Sequence, residues 1–420
     1  MEFVKTPVKG MQDILPENMR LKETVLSMIK QTYANYGFMQ LETPAMEHLE
    51  NLSGKQGGEN EKLMFKVMKR GAELARALEK EGDELADSGL RYDLTLPLAR
   101  YYAGNVANLP SPFKALQIGN VWRADKPQKG RYRQFTQCDI DILGDSSILA
   151  EIELIAATAN MLTKIFSVIN VENFTVHIGD RRILRAMAAY AGFEEDDFEK
   201  VFIILDKYDK IGKAGIVEEL LKEGYPAEAI NKYADIFDRF ESGVSCASFC
   251  EFIGEEYLDK TLTADLDTIV SCAKSMVGGG VNIIFDPTFV RGMGYYTGTI
   301  FEISIDGYNY AIAGGGRYDD MVGKFAKQPV PAIGFSIGFE RILMILEDNN
   351  YSVKMADNGT AFLIQSGTAS EIMLDTFKKA ASLRAEGKSV TVQPMKKNAK
   401  AQIERLMEDG FVNVERIYKD

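Results

Sequence analysis

The stretch FDPTFVRGMGYYTGTIFEIS, beginning at Phe285, sets Arg291 and the pair Tyr295–Tyr296 among glycines 292, 294 and 298. An arginine presents a fixed fork of N–H donors suited to anionic oxygens, and a phenol presents one hydroxyl that donates or accepts. Glycine at 292 and 294 implies a sharply turned backbone or the close approach of a ligand. Four more arginines lie beside candidate strand ends and glycines: Arg123, Arg131 and Arg133 around a hairpin, and Arg341 at the opening of a helix. Five guanidinium groups converging on one site need anionic oxygens, and a nucleotide triphosphate supplies them. Each charge-assisted contact contributes roughly 1.5–3 kcal/mol, so a set of them positions a polyphosphate for in-line attack. The alternative is surface arginines paired with the chain's surplus of acids. No GxxxxGK[ST] occurs, which excludes a P-loop.

Asp93, Gln137 and Asp141 supply acceptors and Thr95 a hydroxyl. With Tyr295 and Tyr296 they suit a small zwitterion carrying a further polar group. Asp93 has a competing use as a turn or cap residue in RYDLT. The tyrosines have one in the core, since strand alternation sends only one of two neighbours into a given cleft. Phe135 either stacks on a purine or packs. With His48 and His177 the only histidines, chemistry must rest on carboxylates, arginines or a substrate group. Cys138, Cys246, Cys250 and Cys272 read as reduced thiols. Cys246 and Cys250 are one helical turn apart with no second pair, so no metal site is expected.

These side chains need a frame. Residues 113–144 read as two strands, FKALQIGNVWRA and YRQFTQCDIDILG, joined by the basic loop DKPQKGR. Alternation in the second puts Arg133, Phe135, Gln137, Asp139 and Asp141 on one face, and such a face lines a polar cleft or is exposed. The opposite face, Cys138, Ile140 and Ile142, buries readily. A helix is expected over 17–36, ended by Gly37, followed by a short strand, FMQLETP, that Pro44 restricts to an edge or an end. Residues 51–62 read as a loop and 69–88 as a solvated helix, after which GLRYDLTLPLARYYA gives a strand and a helix. An apolar helix spans 150–170, a Lys-, Asp- and Glu-rich helical insertion spans about 178–275, and strands return at 281–286, 299–305 and 309–313. AIGFSIGFERILMILED is a strand turning directly into a helix. Beyond the polar linker 349–359, the tail reads as a β-α-β-α-β unit, with Thr368 and Glu371 as a capping box and Gly387 and Gly410 at C-caps.

The 420 residues, 46% hydrophobic and 26% charged, suffice for two or three domains with a sizeable core. A net charge of −12 disfavours a protein that coats nucleic acid through its overall field, yet leaves room for a local basic groove. No apolar run near MEFVKTPVKG suits a signal peptide, and no segment approaches the roughly 18 apolar residues of a membrane span. A cytoplasmic location without membrane contact is the expectation.

FKALQIGNVWRADKPQKGRYRQFTQCDIDILG resembles motif 2 of the class II aminoacyl-tRNA synthetases in its histidyl form. RGMGYYTGTIFEI and AGGGRYDDMVG resemble the two histidine-specific signatures, and AIGFSIGFERIL resembles motif 3. GMQDILPE and LRYDLTLPLARYYA are similar to further stretches of the histidyl family, the latter in its eukaryotic and archaeal style. The likeness runs in order through residues 7–345. It implies an α+β fold: a class II antiparallel sheet flanked by helices in a core over 1–350 that carries the insertion, and a short anticodon-binding-like α/β domain over 359–420. It implies ATP-dependent activation of L-histidine, with Mg2+ as the ATP counter-ion, transfer to tRNA-His, and a homodimer with Pro44 marking motif 1 at the interface.

By the same resemblance, Asp93, Thr95 and Gln137 hold the α-ammonium of histidine, with Leu94 in the same binding turn. Asp141 and Tyr296 read the imidazole, with Tyr295 beside them. Arg123 grips the α-phosphate and the substrate carboxylate. Phe135 and Arg341 sandwich adenine, Arg131 and Arg133 contact the phosphates, and Asp125 belongs to the ATP set. Arg291 is the catalytic cation, and Gln128 lies near the acceptor end of the tRNA. The chain departs from the family pattern at Gly294, where an acid is common, and at Gln134 and Asp125, where glutamates are usual. The short tail implies weakened or lost anticodon reading. Two other readings stand beside the enzyme: a non-charging histidine sensor like the regulatory subunit of ATP phosphoribosyltransferase, and an activator that charges a different acceptor. Arg123, Arg291, Arg341 and Gln137 favour the enzyme, because a pure sensor needs no clamp for ATP phosphates.

Overall fold

The computed structural model describes residues 3–53, 63–80, 84–128, 130–171, 173–240, 243–290, 295–353 and 358–419. Arg291, Gly292 and Gly294, and most of the loop expected over 51–62, lie outside the described residues. The chain divides into two compact units, Met1–Tyr351 and Ser352–Asp420.

The strands of the first unit are β1 (Met39–Leu41), β2 (Met46–His48), β3 (Lys66–Met68), β4 (Ala86–Leu90), β5 (Phe113–Trp122), β6 (Gln134–Leu143), β7 (Phe174–Asp180), β8 (Val281–Phe285), β9 (Thr299–Ile305), β10 (Ala313–Arg317) and β11 (Ala332–Ile337). Eight form one sheet in the order β1-β5-β6-β11-β10-β9-β7-β8, and β2-β4-β3 form a small second sheet. The large sheet is antiparallel except at its edges, where β1 runs parallel to β5 and β7 parallel to β8. As its proline predicts, the segment before Pro44 is an edge strand.

At the centre, β6 is buried on both faces. Cys138, Ile140 and Ile142 are 0–1% exposed on one side, while Gln137, Asp139 and Asp141 are nearly as buried on the other. Such two-sided burial of alternating apolar and acidic residues demands partners for the acids. On the apolar side lies helix Leu149–Phe166, packed against helices Pro16–Asn35 and Lys260–Met276. With its following turn this helix, expected over 150–170, is long and apolar enough to cross a membrane by length and composition, contrary to the expectation that no segment approaches that length. Its apolar character suits a core position, because Leu154, Ile155, Ala156, Ala157, Met161 and Leu162 are fully buried.

Several boundaries move relative to expectation. The first helix of the insertion expected from about 178 starts at Arg181, because β7 continues through Asp180 in register with β9. It has an aromatic core of its own, in which the Tyr233 ring meets Phe193 and Phe237 edge-on at 5.5 and 5.3 Å. The strand expected at 309–313 instead occupies Ala313–Arg317, the glycine run itself. Gly315 is at home there because a Cβ on it would fall 1.9 Å from the Gly334 carbonyl oxygen of β11. The helix expected over 69–88 is confined to Gly71–Glu79, and residues from Ala86 pair in β4.

The second unit is a parallel three-stranded sheet, β12 (Thr360–Ile364) flanked by β13 (Val390–Pro394) and β14 (Asn413–Ile417). Helices Ser370–Ala385 and Ala399–Glu408 connect the strands, and Gly387 and Gly410 beyond them adopt φ near +80° as C-caps require. The expected capping box does not form. Ala369 takes the N-cap position, and the Thr368 hydroxyl instead donates to the Gln365 carbonyl at 2.7 Å.

Candidate functional site

A cavity of about 480 Å3 opens over the acidic face of β6, within the size range of small-ligand sites. It brings together Asp93, Thr95, Arg123, Asp125, Arg131 and Phe135 with Gln137, Asp141, Tyr295, Tyr296 and Arg341. These side chains come from the turn before helix Thr95–Asn105, the β5–β6 connection, β6, the segment ahead of β9, and the start of helix Phe339–Asp348. The backbone of β10 and β11, rich in glycine, forms part of the wall. Gly334 is obligatory, since a Cβ there would sit 2.0 Å from Asp141 Oδ1.

At the inner end, Tyr318 Oη donates to Asp141 Oδ1 at 2.6 Å, and the Tyr295 ring stands edge-on to Tyr318 at 6.2 Å. Tyr295 and Tyr296 lie 4.7 Å apart in an irregular segment, so both line the cavity where strand alternation would have admitted one. Burial pushes Asp141 up to about 7; the Tyr318 hydrogen bond opposes that rise, and the neighbouring Asp93 charge adds to it. Asp139 is raised well above the usual carboxylate range by burial and then by Asp141, and Asp93 is raised mainly by burial. Asp93 also serves the local role that its sequence suggests, accepting from the Leu96 N–H at 3.2 Å at the start of the helix. One acid both fixes the turn and lines the cavity.

Three buried acceptor atoms, Gln137 Oε1, Asp139 Oδ1 and Asp141 Oδ2, have no hydrogen-bond partner among the described residues. They sit in a row on one strand face in a cavity wall. Such atoms cost roughly 1–3 kcal/mol each, more when charged, unless a ligand or water supplies donors. The inner cavity is therefore built to receive N–H groups.

The outer part is cationic and aromatic. Arg123 is anchored by its Nε, which donates to the Tyr92 carbonyl at 2.8 Å, and its guanidinium lies 5.3 Å from the centre of the Phe135 ring. Arg341 lies over Tyr310, also at 5.3 Å. Arg131 reaches the cavity from an exposed turn that it closes with Gln128.

Not every expected residue contributes. Leu94 is a core residue, 1% exposed, whose carbonyl is taken by Gln117 Nε2. Gln128 is exposed and outside the cavity wall. Arg133 is not part of the wall: its Nε donates to the Asp125 carbonyl at 3.1 Å, and its stem packs under Gly10. The strand begins only at Gln134, so alternation does not extend to Arg133. Three of the five arginines thus line the cavity, one does not, and Arg291 lies outside the described residues. Gln134 accepts from Trp122 Nε1 at 3.1 Å across the hairpin, so it serves the strand pairing and not the cavity. The sequence reading missed Tyr318 and left Asp139 without a role. A two-residue count through Gly314 and Gly316 leads to Tyr318, but nothing local marks its partner.

Below Tyr318 lies a buried ion pair. Arg317 Nε and Nη2 donate to Glu151 Oε1 and Oε2 at 2.8 and 2.7 Å, and the two side chains are 9% and 3% exposed. The Arg317 carbonyl accepts from the Thr297 N–H at 2.8 Å, which fixes the segment carrying the two tyrosines. Arg317→Met is expected to destabilise the protein by about 3–5 kcal/mol, since it strands Glu151 as a buried charge. Urea unfolding checks this, and a loss below about 1 kcal/mol would show that Glu151 finds other compensation.

The family model described as Histidyl-tRNA synthetase matches residues 10–342. The histidine–tRNA ligase of Leifsonia xyli is 41% identical over 417 residues, covering 97% of this chain and 94% of that protein. The histidine–tRNA ligase of Bacteroides fragilis is 36% identical, with 90% and 85% covered. Among solved structures, histidyl-tRNA synthetase from Nostoc sp. PCC 7120 superposes with a TM-score of 0.79 at 26% identity, over 98% of this chain and 90% of that one. An ATP phosphoribosyltransferase regulatory subunit/histidyl-tRNA synthetase from Bacillus halodurans has the same TM-score at 21% identity, a likeness of fold alone.

Proposed function

The chain belongs to the histidyl-tRNA synthetase family, and from that premise we propose that it activates L-histidine with ATP and transfers the histidyl group to tRNA-His. A histidine carboxylate oxygen attacks the α-phosphorus, the bond to the bridging oxygen breaks, and pyrophosphate leaves with the negative charge. The row of unmatched acceptors on β6, facing arginines across one cavity, carries this reading. Histidine brings an ammonium with three N–H donors and an imidazole N–H to that row.

In this assignment Asp93, Thr95 and Gln137 hold the ammonium, and Asp141, oriented by Tyr318, accepts the imidazole N–H with Tyr296 and Tyr295 beside it. Arg123 neutralises the carboxylate and the α-phosphate, Arg131 the outer phosphates, while Phe135 and Arg341 take the adenine. Arg291 is assigned the charge that develops on the α-phosphate in the transition state. No group of three or more metal-holding side chains occurs among the described residues. Mg2+ is assigned to the ATP phosphates as their counter-ion, with Asp125 and Glu340 the nearby wall carboxylates able to share it. Gln128, exposed on its turn, is assigned to the tRNA acceptor end, and the Ser352–Asp420 unit to the anticodon. A homodimer through the edge near Pro44, where Met39 and Met46 are exposed, is part of the same assignment.

Histidine-dependent exchange of pyrophosphate into ATP tests the first half-reaction, and charging of tRNA-His tests the second. Histidine binding without exchange would replace the enzyme by a sensor. A finer check uses Tyr318→Phe, which keeps the ring in its packing but removes the donor to Asp141. Because that hydrogen bond lowers the Asp141 pKa, the pH at which histidine binding reaches half its maximum should move upward from near 7. An unmoved profile would detach Tyr318 from recognition.

A further inference from the structure

Asp139 lies between Gln137 and Asp141 on β6, 3% exposed, in the cavity wall. In register with it are Gln117 of β5 and Ser336 of β11. Gln117 is committed elsewhere, its Nε2 to the Leu94 carbonyl and its Oε1 to the Thr43 hydroxyl. Ser336 accepts from Gln137 Nε2 at 3.2 Å, which leaves its own hydroxyl proton for Asp139. The charged groups that act on Asp139 are Asp141, Asp93 and Arg123, with Arg91 acted on in turn. Arg91 itself is held by the Asn120 and Thr43 carbonyls. One serine hydroxyl is thus the donor the protein supplies, and Asp139 Oδ1 stays unmatched among the described residues.

Three acids meet at the inner cavity, within the field of Arg123 on its outer side. A buried carboxylate in that position is stable only against a cation or a donor that arrives with the ligand. Asp139 shares Ser336 with Gln137, a group assigned to the ammonium, and after Asp141 its charged neighbours are Asp93 and Arg123, assigned to the ammonium and carboxylate end of histidine, whereas the hydroxyl of Tyr318 serves Asp141. We infer that Asp139 is a specificity-determining residue of the histidine site, a second carboxylate that shares the α-ammonium with Asp93. The inference rests on the histidine reading above and adds a residue to it. Its chemical consequence is selectivity for the amine. A ligand with the imidazole but no α-amino group leaves both carboxylates without a counter-charge and is rejected, as sites with buried polar groups reject analogues that lack the matching group.

The test compares histidine with its des-amino analogue, imidazolepropionate, by calorimetry on the full-length protein and its Asp139→Asn variant. Asparagine keeps the shape and removes the charge. Loss of one charge-assisted contact should weaken histidine roughly 10- to 100-fold, while imidazolepropionate binds the variant as well as or better than the wild type. The preference for the amine therefore shrinks. Asp139→Glu, which restores the charge, should recover part of it. Equal weakening of both ligands would reduce Asp139 to a structural role and overturn the inference, as would wild-type histidine affinity in the variant. If Asp139→Asn fails to fold, Asp139→Ser replaces it under the same two-ligand ratio. Pyrophosphate exchange by the wild type, run alongside, separates the claims: its absence defeats the synthetase reading, whereas the binding ratio still decides Asp139.

Discussion

Arg123→Lys is expected to lower kcat/KM for histidine-dependent pyrophosphate exchange by about 10²- to 10³-fold, the usual cost of removing one preorganised donor from developing charge. The substitution keeps a positive charge, so the loss isolates geometry. Arg123 follows β5, its N–H donating to the Arg133 carbonyl at 2.9 Å, and its Nε is spent on the Tyr92 carbonyl. That anchor turns the two terminal nitrogens into a fixed fork beside Phe135. Lysine has a single nitrogen that can either anchor or bind, and it lacks the plane that meets two oxygens at once. Folding should be nearly unaffected, because the side chain is only half-buried at the cavity mouth. Exchange within about threefold of wild type, with normal thermal stability, would remove Arg123 from the reacting centre.

Elements whose information is local were legible in the sequence. The alternation FTQCDIDIL gives β6 and the face carrying Gln137, Asp139 and Asp141, because the period of two is a property of the strand alone. Helix Pro16–Asn35 and its glycine stop, and the turn of AIGFSIGFERIL into a helix, follow equally local rules. What failed depends on residues far apart in the chain. Asp141 and Tyr318 are separated by 177 positions, Glu151 and Arg317 by 166, and neither pairing leaves a mark in either neighbourhood. The segment Ala313–Arg317 illustrates the same limit: AGGGR has poor strand propensity, and it becomes β10 because β11 must approach within the space of a missing Cβ. Arg133 shows the opposite error, a sound local pattern extended one residue beyond the strand that generates it. Resemblance named most of the residues that line the cavity, and the sheet register explains why those on the strands meet.

Asp141→Asn should be the most damaging change at the inner cavity, reducing kcat/KM for histidine by about 10³-fold or more. An asparagine keeps the volume under Gly334 but replaces a group that only accepts when ionised by one that always presents N–H donors, which oppose the imidazole N–H and the Tyr318 hydroxyl alike. The pH dependence follows from the same atom. In the empty pocket burial holds Asp141 up to about 7, so the carboxylate that histidine needs is formed as pH rises through that value. Wild-type kcat/KM for histidine should climb across this interval, and the variant should lose that limb beyond what the free imidazole itself contributes near pH 6.5. Stability runs the other way. A carboxyl whose folded pKa exceeds its unfolded value of 3.8 contributes stability below pH 3.8 and loses it as pH rises through about 7. Without ligand, the wild type should therefore lose stability relative to Asp141→Asn between pH 5 and pH 8, and saturating histidine should offset the loss in the wild type alone. Melting both proteins at the two pH values, with and without histidine, reads the sign directly. A gap between them that does not change with pH would mean that Asp141 is ionised in the empty cavity, and the recognition mechanism built on its buried, donor-seeking carboxyl would fail with it.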